Sequence, residues 1–203
     1  MFYRPGLEPH GLPHDPFKAI VTPRPIGWIS TLDREGHVNL APYSFFNAVA
    51  DRPPMVVYGS TGTKPGLTER KDTLANIRAT GEFVVNIVSR ALRDPMNASS
   101  AGLPADADEF EVAGLEKAPS RVVAPPRVKA APAALECRLW QAIDLPGESN
   151  TLVIGEVVGV HIDDAMLRDG LLDITLYQPL SRLGYRDYTA VAEVFALSRP
   201  KTR

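Results

Sequence analysis

The apolar positions of the chain fall mostly in short, strand-like runs separated by polar and glycine- or proline-bearing turns. Ile26 to Leu32 reads as a strand, Asp33-Arg-Glu-Gly36 as a polar turn, and Val38 to Phe46 as an extended return, which together predict a β-hairpin. Met55-Val-Val-Tyr58 is a short apolar strand that runs into Gly59-Ser-Thr-Gly-Thr-Lys-Pro-Gly66, a loop whose glycines permit close backbone approach. The period changes at Asp72. Asp72 or Thr73 can cap a helix, Leu74 and Ile77 fall on one face, and Gly81 stands where a C-terminal glycine belongs. Glu82 to Val88 is the next strand. Residues 90–118 are rich in Ala, Asp, Glu and Ser, which predicts helical pieces with breaks at Pro95 and Pro104. From Val122 the β pattern returns, with Pro125, Pro126 and Pro132 suiting an edge or connecting segment. Ala134 to Ile143 and Thr151 to Ile162 flank turn chemistry at Leu145-Pro-Gly-Glu-Ser-Asn150, a second hairpin. Short strands at hairpin spacing, with few helices and no repeated β-α-β unit, predict a mainly β fold: an antiparallel barrel with helical additions.

Over residues 1–19, Pro5, Pro9, Pro13 and Pro16 with Gly6 and Gly11 exclude a regular helix, so residues 1–16 are assigned to an irregular N-terminal arm and 17–203 to one domain. A chain of 203 residues with 44% hydrophobic and 23% charged content can bury a substantial core. A net charge of -2 provides no broad field for nucleic acid. The longest apolar runs are too short to cross a bilayer as a helix, and Met-Phe-Tyr-Arg-Pro-Gly has no signal-peptide core, so the expected partner list excludes membrane and the expected location is cytoplasmic. Cys137 is the single cysteine; it suits a buried apolar role and rules out an internal disulfide.

Several chemistries lack their signatures. The Gly59 to Lys64 run does not have phosphate-loop spacing, and neither a dinucleotide glycine fingerprint nor a nucleophile elbow occurs. His10 and His14 have helical metal-pair spacing, but Gly11 and Pro13 deny the helix, so no metal site is expected. The stretch that invites chemistry is Asn39-Leu-Ala-Pro-Tyr-Ser-Phe-Phe46, followed by Lys71-Asp72-Thr73 at a helix start. An apolar strand ending in hydroxyl and aromatic groups, beside a cationic helix N-terminus, suits a flat aromatic ligand carrying a phosphate. In an uninterrupted strand Ala41, Tyr43 and Phe45 share one face and Pro42, Ser44 and Phe46 the other. Spacing alone leaves a second reading open, with Tyr43, Phe45 and Phe46 as core aromatics and Lys71 as a solvated charge beside a capping residue.

Four separated segments, Arg24-Pro-Ile-Gly-Trp-Ile-Ser-Thr-Leu-Asp33, Asn39 to Asn47, Asp51-Arg-Pro-Pro-Met55 and Lys71-Asp-Thr-Leu-Ala-Asn76, resemble in order the motifs of the flavin reductase-like, FMN-binding split-barrel family. Tyr177-Gln-Pro-Leu-Ser-Arg-Leu-Gly184 adds to the likeness, which runs from about residue 17 to about 190 and is nearest the branch that includes flavoredoxin. The resemblance implies an antiparallel Greek-key split barrel and a homodimer with noncovalent FMN near the interface. It implies that Trp28, Ser30 and Thr31 line the flavin, that Ala41, Pro42, Tyr43, Ser44, Phe45 and Phe46 flank its ring, and that Ser60, Thr61, Gly62, Lys71 and Thr73 hold its phosphate. Asp72 would cap the helix or orient Lys71. Arg182 would reach the cofactor or the interface. No side-chain catalyst is required, because the flavin carries the chemistry. NADH or NADPH would be the donor, and a flavin, a monooxygenase or another electron-transfer protein the acceptor. The alternative within the same resemblance is a flavoredoxin-like electron carrier that does not oxidise NAD(P)H itself.

Overall fold

The computed structural model describes residues 1–63, 71–104 and 107–200. The chain enters through a helical turn, α1 (Phe17–Ile20), and a short strand, β1 (Arg24–Pro25). It continues through β2 (Gly27–Leu32), β3 (Val38–Tyr43), β4 (Phe46–Asp51) and β5 (Pro54–Ser60). Helix α2 (Asp72–Thr80) leads to β6 (Glu82–Ile87), and α3 (Arg93–Ala98), α4 (Glu109–Val112), β7 (Lys117–Ala118) and β8 (Arg127–Val128) follow. The long hairpin of β9 (Ala133–Asp144) and β10 (Thr151–Ile162) comes next. The described chain closes with β11 (Leu167–Arg168), β12 (Leu171–Leu172), α5 (Ile174–Tyr177), β13 (Leu180–Arg182) and β14 (Tyr188–Ala190).

The main sheet has seven strands in the order β3-β2-β6-β9-β10-β5-β4, and every pairing is antiparallel. Its two edge strands, β3 and β4, are consecutive in sequence and joined only by Ser44 and Phe45. The sheet therefore curls until its edges nearly meet, and the β4–β5 ladder continues into the link, where the amide of Gly59 donates to the carbonyl of Phe45 at 2.7 Å. This is the antiparallel split barrel that the sequence predicts. Inside it, Ile29, Tyr43, Val56, Tyr58, Phe83, Val85, Cys137 and Val153 pack with Leu74 and Ile77 of α2. Outside it, Trp28, Leu40, Val88, Met96, Phe110 and Leu180 form a second core under α3 and α4. Cys137 is buried, as expected.

The prediction of an uninterrupted strand from Val38 to Phe46 is corrected: the strand stops at Tyr43 and a new one starts at Phe46. The inserted link changes which side chains share a face. Phe46 packs against the interior cluster with Tyr43, while Phe45 turns out of it. Lys71, in extended conformation, occupies the cap position of α2 that Asp72 or Thr73 was expected to fill. The C-terminal expectation holds: Gly81 is left-handed at φ 76° and its amide reaches the carbonyl of Ile77 at 2.8 Å. Pro95 lies in the first turn of α3 rather than breaking it, since a first-turn residue needs no amide for the helix. Lys64 to Gly66 of the predicted glycine loop lie outside the described residues. Among the described residues no helix is long and apolar enough to cross a membrane.

The proline-rich segment before β9 is held by one carboxylate. Glu136 is fully buried and accepts from the amides of Arg121 (2.7 Å), Val122 (2.6 Å) and Val123 (3.0 Å), with His161 Nε2 at 2.5 Å. Burial by itself would raise its pKa. The hydrogen bonds from Arg121, His161, Val122 and Val123 outweigh burial and hold it down to about 2. A carboxyl held below its unfolded value stabilises the fold above that value and ceases to do so as pH falls through the folded one. Stability is therefore expected to drop by about 3 kcal/mol between about pH 4.5 and pH 2 on this account. Urea unfolding of Glu136→Gln should show a loss of about 2–4 kcal/mol at neutral pH that narrows toward pH 2. An unchanged midpoint at pH 7 would remove the anchor role.

Candidate functional site

The Ser44–Phe45 link between the sheet edges forms the lip of two adjoining depressions. One is a cleft of about 290 Å³ lined by Lys18, Arg24, Lys71 and Arg182 with Pro42, Tyr43, Ser44, Phe45, Gly59 and Thr61, and with Asp15 as its one carboxylate among the described residues. The other is an apolar groove of about 710 Å³ where Val21, Pro23, Phe45, Phe46, Val57, Leu145 and Leu152 contribute walls. Ser44, Phe45, Arg24, Gly59 and Thr61 belong to both, so the two are continuous.

The four cations of the cleft share an unusual form of support. Lys18 Nζ stands 6.0 Å and the Arg24 guanidinium 5.8 Å from the centre of the Phe45 ring. Lys71 Nζ is 5.4 Å from the Tyr43 ring and the Arg182 guanidinium 4.4 Å from the Tyr188 ring. Arg24 is buried and donates to the carbonyls of Lys18, of Val21 at 2.5 Å and of Leu183 at 2.8 Å, while its Nε has no partner. Arg182 donates to the Tyr188 hydroxyl and the Tyr185 carbonyl. Among the described residues none of the four forms an ion pair with a carboxylate. Rings and carbonyls hold the charges without neutralising them, which leaves a field for an anion. Burial, and next to it the charge of Lys18, lower the Lys71 pKa; burial and then Arg182 lower that of Arg24.

A third cavity of about 140 Å³ lies along β3, between the start of α2 and the 99–103 segment. It contains Ala41, Pro42, Tyr43, Lys71, Asp72 and Thr73 along with Glu109. Glu109 is buried, accepts from Asn39 Nδ2 at 2.9 Å and the Leu40 amide at 3.0 Å, and has its pKa raised by burial. Near a protein surface a unit charge pair at ~4 Å is worth roughly 4 kcal/mol. A phosphate in this cavity would gain one lysine and oppose two carboxylates, so the four-cation cleft wins.

The fold therefore gathers Pro42, Tyr43, Ser44, Phe45, Thr61, Lys71 and Arg182 around the cleft and adds Phe46 in the groove. Ala41, Asp72 and Thr73 face the third cavity, with Thr73 donating its hydroxyl to Asn39 Oδ1 at 2.6 Å. Trp28, Ser30, Thr31 and Ser60 are buried away from these spaces. Trp28 Nε1 donates to Ser99 Oγ at 2.9 Å, Ser30 to the Pro126 carbonyl, and Thr31 accepts from Asn76 Nδ2 at 3.1 Å. Gly62 is left-handed at φ 70° in the loop beyond β5. Lys18 and Arg24 were missed as site residues. The sign present in the sequence is the lack of any nearby acidic residue between Lys18 and Arg24 to neutralise either charge; only the fold shows that both face Lys71 and Arg182.

The Flavin reductase like domain model matches residues 20–180, and the chain belongs to that family. Among solved structures, nitrilotriacetate monooxygenase component B from Bacillus cereus superposes with a TM-score of 0.88 at 33% identity, covering 97% of this chain and 98% of that one. A 2-nitrobenzoate 2-nitroreductase from Pseudomonas fluorescens gives a TM-score of 0.79 at 31% identity, over 91% of this chain and 88% of that one. The flavoredoxin of Desulfovibrio vulgaris (Miyazaki F) gives 0.76 at 28% identity, over 88% and 92%.

Arg24 joins the α1 turn to the end of β13, so its loss should loosen both. Arg24→Met is expected to speed hydrogen exchange of residues 17–23 at least tenfold and to lower stability by about 2–4 kcal/mol, the scale of charged hydrogen bonds lost inside the protein. Unaltered exchange over that segment would show that the guanidinium does not hold it.

Proposed function

We propose that the protein is an FMN-dependent oxidoreductase of the NAD(P)H:flavin reductase type. The observation that supports it most is the continuity of a cationic cleft with an apolar groove at Ser44 and Phe45. A ribityl phosphate has about two negative charges and needs cations; an isoalloxazine ring needs a flat apolar slot with hydrogen-bond groups at one edge. The residues present fit both demands. Lys71 and Thr61 would hold the phosphate, with Lys18 adding charge. Pro42, Phe45 and Phe46 would bound the ring, and Ser44, outside either strand, would offer its hydroxyl and amide to the ring edge. When bound, the flavin supplies the hydride or electron transfer. The chain's own part is to fix the ring, shield one face from water and place donors where negative charge grows on reduction.

Component B of a monooxygenase and a nitroreductase are both similar structures, which favours an enzyme that passes reducing equivalents to a flavin, a protein or a small acceptor. Flavoredoxin similarity keeps an electron carrier as the second reading. In either case we place the protein in the cytoplasm and expect a homodimer with FMN near the interface.

Anaerobic titration separates the two. Purified protein reconstituted with FMN should bleach within seconds on adding NADH or NADPH; persistent colour with both would leave the carrier reading, and failure to bind FMN at all would defeat both. Lys71→Ala is expected to weaken FMN binding by about 1–3 kcal/mol in a fluorescence titration. An unchanged dissociation constant would take Lys71 out of the phosphate site. Ser44→Ala should shift the flavin's potential more than its affinity, and a potential identical to wild type would make Ser44 structural.

A further inference from the structure

Among the described residues, the cleft has more positive charge than one FMN phosphate accounts for. Its cations stand over three rings, Lys71 over Tyr43, Lys18 and Arg24 over Phe45 and Arg182 over Tyr188. Lys71 also lines the cavity along β3 and Arg182 a separate recess, which puts these two at different ends of the cleft. Asp15, the one carboxylate in the lining among the described residues, also accepts from the Phe17 amide at 2.9 Å, so it caps the α1 turn as well as facing the cleft. A phosphate dianion at the Lys71 end leaves the arginine end uncompensated.

Arg182 is also placed apart from the others. It lines a second recess of about 240 Å³, beyond Pro42 and Ser44, whose other walls are Ile26, Met96, Asn97, Ser100 and Tyr188. Its guanidinium is aimed from two sides, by the Tyr188 ring and hydroxyl and by the carbonyl of Tyr185. Tyr185 adopts φ 54°, a left-handed conformation that a bulky residue rarely takes. That strained turn directs the carbonyl to Arg182. A fork so held keeps its remaining N–H groups for a planar or tetrahedral oxyanion.

Resting on the FMN reading, we infer that Arg182, with Arg24 behind it, is the anion anchor for a second ligand, the phosphate-bearing dinucleotide that delivers electrons. The FMN phosphate belongs to the Lys71 end of the cleft. The recess along Pro42 and Ser44 joins the arginine end to the edge of the proposed ring site, so a ligand anchored at Arg182 has a path to that edge. Two sources share this chemistry: the diphosphate common to NADH and NADPH, and the 2′-phosphate of NADPH alone.

The test uses the FMN-loaded protein and equilibrium binding rather than turnover. FMN is titrated first, and wild-type protein that does not bind it overturns the flavin reading and this inference together. The loaded protein is then titrated calorimetrically with inorganic pyrophosphate and with adenosine 2′,5′-bisphosphate. Arg182→Gln is expected to weaken one or both anions at least tenfold while FMN affinity changes less than threefold. Loss confined to pyrophosphate identifies the shared diphosphate, and loss confined to the bisphosphate identifies the 2′-phosphate. Arg182→Lys keeps the charge without the fork and should restore part of the affinity, which separates anchoring from a folding defect in the glutamine variant. A parallel fall in FMN affinity would assign Arg182 to FMN, and unchanged anion binding would remove it from any anion site; either overturns the inference.

Discussion

The structure depends on one topological constraint: both edges of a seven-stranded sheet come from strands that follow one another directly in the chain. Two residues, Ser44 and Phe45, must cross from the first strand of the sheet order to the last. A flat sheet would put those strands some six inter-strand spacings apart, roughly 28 Å at ~4.7 Å each, far beyond what two residues can span. The sheet must curl, and curling brings the β3 end, the β5 end and the start of α2 to one place. Glycines accept the crowding. A side chain on Gly27 would fall 2.8 Å from the Phe46 ring, and one on Gly59 would come 3.2 Å from the Phe45 Cβ. The link that closes the barrel is thus also the lip of the cleft.

Around that lip, polar groups divide into those that hold the scaffold and those left facing outward. Thr73, Asn39 and Glu109 form a buried chain that ties α2 to β3 and α4, and Glu136 does the same for the proline-rich approach to β9. Such hydrogen-bonded carboxylates serve to fix backbone. The cleft cations follow the opposite rule, since their partners are rings and carbonyls.

Much of this was legible in the chain. The β10 strand runs from Thr151 to Ile162 as its apolar run predicts, and Gly81 ends α2 because a left-handed residue was required there. The barrel class followed from hairpin spacing. Strand periodicity could not reveal the break at Ser44 and Phe45, because Phe45 extends the apolar pattern, one serine between aromatic residues is compatible with a strand, and only closure of the sheet interrupts it. The short strands β13 and β14 escaped because two or three residues carry no measurable period. For the site, local motifs pointed to Lys71 and to the Tyr43–Phe46 wall. Lys18 and Arg24 entered only through tertiary structure, since the lack of an acidic neighbour between them does not say what they face until the fold brings α1 and β1 beside Lys71 and Arg182. Trp28, Ser30 and Thr31 lie in a recognisable motif, and in the fold that motif is a buried strand whose polar groups have internal hydrogen-bond partners.

The support of the cleft charges by aromatic faces has a kinetic consequence. An anion arriving at a paired cation must first displace the carboxylate and wait for the freed side chains to reorganise. Lys18, Arg24, Lys71 and Arg182 have no such partner among the described residues, so an incoming phosphate meets charges already in position. On the proposed FMN reading, capture would be aided by the field of the cleft and slowed by salt, whereas residence time would be set by how the ring settles in the apolar groove. On that reading, arrival and retention would be governed by separate parts of the same surface.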